Sequence, residues 1–314
     1  MNFHLKNHQK FTTIIKVILL IISLVFLYYS TKSINFNNMI KLSSRQFNLP
    51  IFLTLMVFSL VNWLIEITKW HYLIKKIQRQ SFKKSSLQVL KSFYFACFTP
   101  ARLGEYGAKS YFFKKKLRKK IWSFNLIHHS SQMLVTILMA SIGVLIIDKP
   151  IIGQFLKTDK LNIKFLLILS VIVGIFLIKK TQVVKKFQNQ INKNLTLTFQ
   201  LLGLSLLKYF VFTHQFYILI LIFSKHPTNY LSTLSLIAVF YGLSSILPLF
   251  QWFEPVIKSS LFIGLSLLLK TNLNSFECLL IINLMWSLNT LIPFIIGAIL
   301  LIKNEPIKKH LTLP

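Results

Sequence analysis

The chain has 314 residues, of which 54% are hydrophobic and only 14% are charged. Soluble domains carry roughly a quarter charged residues, so this composition excludes an ordinary soluble globule. The formal net charge of +30 would indicate a nucleic-acid binder in a soluble protein. Here the basic residues lie between apolar runs, as in membrane-protein loops that face anionic lipid, and we expect no nucleic-acid partner.

Apolar stretches of about 20 residues, enough to cross a bilayer, occur along the whole chain. We therefore predict an all-α polytopic integral membrane protein, a single transmembrane domain over 1–314. The first stretch is read as an uncleaved span, because no small-x-small cleavage site follows it. The predicted hydrophobic segments, about eight in all, are 11–30, 49–74, 121–147, 161–178, 195–223, 229–250, 256–269 (short for a full span) and 276–302.

A further apolar segment, 87–113, is interrupted by charges and by the helix breakers Pro100 and Gly104. Its middle reads Phe-Thr-Pro-Ala-Arg-Leu-Gly-Glu from residue 98. Charges at membrane depth cost free energy and usually serve function, and non-helical backbone survives there only when it is buried in protein or lines a cavity. We predict a re-entrant helical hairpin with its tip at 99–101. The alternative is an amphipathic interfacial helix with Arg102 reaching the head groups.

The distribution of lysine and arginine among the loops predicts the orientation. The loops assigned to the cytoplasm hold 22 basic residues, and those assigned to the outside hold 8. We expect a multi-pass protein of the cytoplasmic (inner) membrane with both termini in the cytoplasm. This assignment requires that 87–113 enters and leaves on the cytoplasmic side.

A second interrupted segment, 231–269, also has two apolar arms and a charged centre. Two hairpins that enter from opposite faces would form an inverted pair, an arrangement found in transporters. Two plain spans with a short inner loop are the alternative, and the sequence does not choose between them.

The charged side chains at the two tips form the predicted binding site. A helix that begins at Pro100 would point free N–H groups at an anion, and Arg102 would add bidentate phosphate recognition. Glu105 lies on the same helix face, where it pairs with Arg102 or holds an amine or hydroxyl of a head group. The predicted substrate-binding residues are Arg102, Glu105, Lys109, Glu254 and Lys258, and the hairpin breakers are Pro100, Gly104, Pro248 and Pro255.

Other polar residues within the apolar runs are given structural roles. Glu66 and Lys69, three residues apart, are expected to form a structural ion pair. His128, His129 and His214 are expected to be interhelical hydrogen-bond donors. No nucleotide-binding, protease or hydrolase motif and no metal-ligand spacing occurs in the sequence, so we expect no cofactor, no metal and no catalytic residue.

The heptapeptide at 99–105, Thr-Pro-Ala-Arg-Leu-Gly-Glu, resembles the Pro-Gly-Arg-x-Gly-Glu motif of the lysylphosphatidylglycerol synthase transmembrane (flippase-like) family. Lys69-Trp70-x-x-Leu73 is similar to the basic-Trp element of that family, and the segment from Pro248 to Lys258 is similar to its second hairpin. The resemblance covers nearly the whole chain. Two departures stand out: Ala101 replaces the usual Gly, and the second hairpin lacks the expected glycines.

The resemblance implies an inner-membrane protein that binds and moves lipids. In the best-known members this domain flips aminoacylated phosphatidylglycerol made by a fused synthetase domain, for which the residues after the last span leave no room, so aminoacyl transfer is not expected. We predict a flippase or carrier for a phospholipid or another anionic, lipid-linked head group, either as a homo-oligomer or with a separate lipid-modifying enzyme. The alternatives are an integral-membrane transferase with Glu105 as base and Arg102 as phosphate clamp, and a non-transporting partner subunit.

Overall fold

A computed structural model describes residues 21, 24–29, 32, 48–147, 195–224, 229–247, 250–269, 271 and 273–303. This described part is helical and contains no strand. Predicted segment 161–178, most of 11–30, both chain termini and Pro248 lie outside it. Its main helices are α1 (Leu49–Lys75), α2 (Phe82–Cys97), α3 (Leu103–Tyr111), α4 (Arg118–Ile146), α5 (Leu195–Phe223), α6 (Tyr230–Ile246), α7 (Glu254–Leu268), α8 (Ser275–Trp286) and α9 (Ile292–Lys303).

Within the described ranges, four helical stretches are long and apolar enough to cross a membrane. They agree with the predicted segments 49–74, 121–147, 195–223 and 276–302. The predicted segments 229–250 and 256–269 form the shorter helices α6 and α7, of 17 and 15 residues. The structure therefore supports an all-helical membrane protein, but it does not confirm a count of eight segments. The four stretches are Leu49–Lys75, Lys115–Ile146, Thr196–Phe223 and Ser275–Lys303.

Asparagine and serine side chains fix several helix starts. The Asn48 side chain accepts a hydrogen bond from the backbone of α1, and Ser81 does the same for α2. Asn229 caps α6. Asn274 caps α8 in a reciprocal capping box with Glu277. These caps satisfy N–H groups that the first turn of a helix leaves free.

The predicted hairpin segment forms two short helices, α2 and α3, that pack against each other. α2 has 16 residues and α3 has nine, so at about 1.5 Å per residue neither helix crosses a hydrocarbon core of roughly 30 Å. A 3-10 turn over Pro100–Arg102 joins them. Entry into the membrane from one face stays a prediction.

The second arm starts later than the sequence suggests. An arm that begins directly after Pro100 was expected, but α3 begins at Leu103. The reason is that Ala101 and Arg102 are both in the left-handed region, with φ of 50° and 57°. Two such residues reverse the chain direction between α2 and α3 before the helix can begin.

Gly104 sets the distance between the two arms. A Cβ atom built at Gly104 would lie 2.2 Å from the backbone oxygen of Phe95. The Gly104 N–H donates to Thr99 Oγ1 at 2.6 Å, so one of the first free amides of α3 is used within the turn. Gly104 therefore allows the backbone of α3 to lie directly against the backbone of α2.

The turn between α6 and α7 lies beside the turn between α2 and α3. Phe98 and Trp252, one from each turn, have ring centroids 6.3 Å apart. Phe294 of α9 contacts both rings, at 5.8 Å and 5.0 Å. The two predicted tips are thus neighbours, whether α6 and α7 form a hairpin or two spans.

The described helices pack around several apolar cores, two of them larger than the rest. The larger one centres on Phe216, Phe240 and Phe262, whose rings contact one another with centroids 5.0–5.6 Å apart. The smaller one includes Trp70 of α1 and Ile121 of α4, with Val89 of α2. This smaller core brings α1, α4 and the hairpin together at the charged residues.

A polar network at the π-helical segment Ser287–Leu291 links three helices. The Asn289 amide donates to Gln215 of α5 at 2.9 Å, and the Asn62 amide of α1 donates to the Asn289 side-chain oxygen at 2.9 Å. Ser59 donates to the carbonyl oxygen of Leu288 at 2.7 Å. Such hydrogen bonds between helices stabilise membrane bundles.

Replacement of Gly104 by alanine should destabilise the protein by about 1–3 kcal/mol, because the new methyl group would overlap the backbone of α2. Thermal unfolding of the purified protein in detergent measures the effect. Gly107→Ala, in the same helix, is the matched control, since no described atom outside its chain neighbours and its own helix backbone lies within 4 Å of a Cβ built there. Equal melting temperatures for both variants would contradict the close packing of α2 on α3.

Replacement of Ala101 by glycine should stabilise the protein by up to about 1 kcal/mol, because glycine adopts a positive φ without the Cβ penalty. The same substitution at Ala108, inside α3, should instead destabilise by about 0.5–1 kcal/mol. The melting temperature of each purified variant in detergent measures these changes in stability. A lower melting temperature for Ala101→Gly would show that residue 101 is not left-handed in solution.

Candidate functional site

Glu105 of α3 is the centre of a buried group of charged side chains. Its side chain is 1% exposed. Arg102 Nη2 lies 2.9 Å from Oε2, and Lys109 Nζ lies 2.6 Å from Oε1. His129 Nε2 of α4 lies 3.4 Å from Oε1. These four residues are called the Glu105 cluster.

Lys109 ties the Glu105 cluster to the neighbouring helices. Its side chain is fully buried. The ammonium donates to Asn125 Oδ1 of α4 at 2.8 Å, and it lies 4.1 Å from the ring centroid of Trp70 in α1. A carboxylate, an amide oxygen and an aromatic face therefore surround it, which offsets the free-energy cost of burying its charge.

Arg102 is the most accessible residue of the Glu105 cluster. Its side chain is 29% exposed, and its guanidinium lies 5.0 Å from the ring centroid of Phe93. The left-handed backbone at 102 lets the side chain turn back along the start of α3 towards Glu105. A guanidinium held in this way keeps donors free for an anionic group.

A second charged group, called the Glu66 cluster, lies beside the first. It consists of Glu66 and Lys69 of α1, His128 of α4 and Lys208 of α5. His128 Nε2 lies 2.9 Å from Glu66 Oε1, and Lys208 forms an ion pair with Glu66 Oε2. The expected ion pair between Glu66 and Lys69 is not the contact found. Both carboxylate oxygens already have partners, and Lys69 donates instead to the His128 carbonyl oxygen at 3.2 Å.

The neighbouring residues His128 and His129 connect the two clusters, because their ring centroids are 5.0 Å apart. One ligand atom from each of these histidines and from Glu66 lies within 4.8 Å of the others, a spacing that suits a metal ion. The surroundings argue for a different ligand. Four basic side chains face two carboxylates across the two clusters, and a site with more basic than acidic side chains suits an anion better than a divalent cation.

The second predicted tip holds a smaller group of polar side chains than the Glu105 cluster. Lys258 Nζ lies 2.9 Å from Glu254 Oε2, and Gln251 donates to Glu254 Oε1 at 2.9 Å. Pro255 lies in the first turn of α7. Among the described contacts, no ion pair or hydrogen bond joins these side chains to the Glu105 cluster. The structure therefore brings the five predicted residues together as two groups, whose turns meet through aromatic rings.

Sequence reasoning missed the Glu66 cluster as part of a site. From the sequence, Glu66 and Lys69 are expected to form a structural pair, and His128 and His129 are expected to be separate interhelical hydrogen-bond donors. The detectable signal was the number of polar residues in otherwise apolar helices. The contact between Glu66 and Lys208 spans 142 positions, so no local sequence pattern indicates it.

The sequence matches no protein-family model and no curated protein.

Replacement of Glu105 by glutamine should destabilise the protein by about 3–5 kcal/mol, because it leaves Lys109 buried without its ion partner. Glu254→Gln breaks a more exposed pair and should cost less than about 1 kcal/mol. Unfolding in detergent measures both. The double variant Glu105→Gln, Lys109→Met should recover much of the loss, and a Glu105→Gln variant as stable as the Glu254→Gln control would contradict burial of this pair.

Proposed function

We propose that this protein is a carrier that moves an anionic lipid across the cytoplasmic membrane, with Arg102 as the residue that first engages the phosphate of the head group. The observation that supports this most is that basic side chains outnumber carboxylates across the two clusters, beside a partly exposed guanidinium. Buried charges in membrane helices are rare and are usually kept for binding or transport. The resemblance at 99–105 to flippase-like domains points to the same substrate class.

The proposed binding step uses the differing exposure of the two cations around Glu105. Arg102 is within reach of a head group, whereas Lys109 is enclosed by α1, α3 and α4. Glu105 holds both cations in place until a phosphate competes for Arg102. An arriving phosphate then exchanges with one carboxylate oxygen, so the guanidinium is never left unpaired in a medium where that would be costly.

The lipid tails are proposed to stay in the bilayer while the head group moves between the two tips. The aromatic rings of Phe98, Trp252 and Phe294 contact one another where the turn between α2 and α3 meets the turn between α6 and α7. They offer an apolar boundary that the head group would pass when exposure changes from one side to the other. In this account Glu254 and Lys258 receive the head group at the second tip.

A transferase that uses a lipid-phosphate donor is the second candidate. The close approach of Glu66, His128 and His129 is the observation that favours it, since a metal there would activate a phosphate oxygen. The ion pair of Lys208 with Glu66 opposes metal binding at that position. Stoichiometric zinc or manganese in protein purified without chelators would favour the transferase.

The test is lipid movement in liposomes that contain the purified protein and fluorescent anionic or zwitterionic lipids, read from dithionite quenching. Arg102→Ala should slow movement of the anionic lipid by roughly tenfold or more, since charge-assisted hydrogen bonds contribute about 1.5–3 kcal/mol. Arg102→Lys should recover only part of the rate, because a lysine cannot bind a phosphate in a bidentate manner.

Lys119→Ala is the control for this test, because it removes an exposed cation at the start of α4 and should leave the rate unchanged. Equal melting temperatures of the variants exclude misfolding. If the wild-type protein moves no lipid over a broad panel of head groups, the carrier is contradicted.

A further inference from the structure

We propose that Arg118 and Tyr111 form a second site for the phosphate of an anionic lipid, at the base of the hairpin and apart from Arg102. The two sites lie at opposite ends of α3, because Arg102 precedes this helix of nine residues and Tyr111 is its last residue. At about 1.5 Å per residue they are roughly 14 Å apart. The inference goes beyond the carrier function, since a lipid can bind at the base without being moved.

The Arg118 guanidinium is held by an aromatic ring. It lies 4.7 Å from the ring centroid of Tyr111, and stacking of this kind leaves the N–H groups of an arginine directed outwards in the guanidinium plane. Within the described ranges, no ion pair or hydrogen bond joins this guanidinium to another residue, and its Nε is buried without a partner. A buried donor without an acceptor costs free energy, and two oxygens of a phosphate would satisfy Nε and a neighbouring Nη together.

The surroundings of Arg118 are basic. Segments 75–84 and 111–120 contain five and six basic residues and no carboxylate. Ile77 from the first segment and Leu117 from the second pack against the same apolar core, so the two segments are neighbours. Clusters of lysine and arginine next to a membrane helix attract anionic lipid. An anion at Arg118 would therefore meet attraction from both segments and repulsion from neither.

Aromatic residues indicate that Arg118 lies at the depth of lipid head groups. Tyr111 is 62% exposed, and Trp122, one helical turn after Arg118 on the same face, is 46% exposed. Exposed tyrosine and tryptophan are typical of the interface between membrane and water. The helical stretch that is long and apolar enough to cross the membrane starts at Lys115, three residues before Arg118. These positions favour the phosphate of a lipid over that of a nucleic acid.

Native mass spectrometry of the purified full-length protein in detergent tests the second site. Short-chain phosphatidylglycerol or phosphatidylcholine is titrated into the Arg102→Ala variant, which weakens the site at the hairpin tip. We expect phosphatidylglycerol to bind roughly tenfold more tightly, because the choline group offsets the phosphate charge of the other lipid. Adding Arg118→Gln should abolish this preference. Arg79→Gln, which removes an exposed arginine of the neighbouring segment, is the matched control and should retain it.

Two variants of Tyr111 test the geometry while keeping the charge of Arg118. Tyr111→Leu removes the ring under the guanidinium and should weaken phosphatidylglycerol binding about two- to fivefold. Tyr111→Phe keeps the ring and should bind this lipid as the parent variant does. Melting temperatures show which variants are folded, and the two Tyr111 variants decide the question if Arg118→Gln does not fold. Equal binding by both Tyr111 variants would contradict the stacked arrangement.

The other outcomes separate this site from the carrier. Equal phosphatidylglycerol binding by the Arg118→Gln and Arg79→Gln variants overturns the second site and leaves the carrier standing. Loss of all preference for phosphatidylglycerol in Arg102→Ala alone shows that the hairpin tip is the binding site and also overturns it. Displacement of the lipid by an equal concentration of inorganic phosphate, or tighter binding of an oligonucleotide through Arg118, overturns the assignment to a lipid. Binding at Arg118 by a protein that moves no lipid supports the second site and contradicts the carrier.

Discussion

The ion pair between Glu105 and Lys109 is the constraint on which the rest of the site depends. Both side chains are buried, and either charge alone would cost several kcal/mol in such surroundings. The pair can exist only because α1 and α4 supply Trp70 and Asn125 as further partners for the ammonium. The side chains that pack the short hairpin against the long helices are therefore the same ones that make burial of its charges possible.

The arms of the hairpin are short because its turn contains a backbone conformation that a right-handed helix cannot include. Two consecutive left-handed residues, Ala101 and Arg102, reverse the chain, and Gly104 lets the arms approach to within backbone contact. The same turn places Arg102 at the accessible side of Glu105. The turn that ends α2 thus also places Arg102 where an anionic group can reach it. The local backbone conformation is in this way linked to the proposed binding step.

Much of the fold could be predicted from the sequence, because apolar length and capping residues are local properties. The approximate positions of the four long helical stretches in the described residues follow from their apolar length. The contacts of Arg102 and Lys109 with Glu105 follow from spacings of three and four residues. Two features could not be predicted. The left-handed pair moved the start of α3 to Leu103, and the pairing of Glu66 with Lys208 depends on how α1 and α5 meet, which no local pattern specifies.

The central claim is that Arg102, beside two clusters in which basic side chains outnumber carboxylates, binds an anionic head group. Photo-crosslinking with lipids that carry a diazirine next to the phosphate tests this most directly. An anionic probe should label the segment 98–106, excess unlabelled anionic lipid should compete, and a zwitterionic probe of equal chain length should label that segment only weakly. Equal labelling by both probes, or labelling by the anionic probe confined to the lipid-facing surfaces of the long helices, would contradict the account.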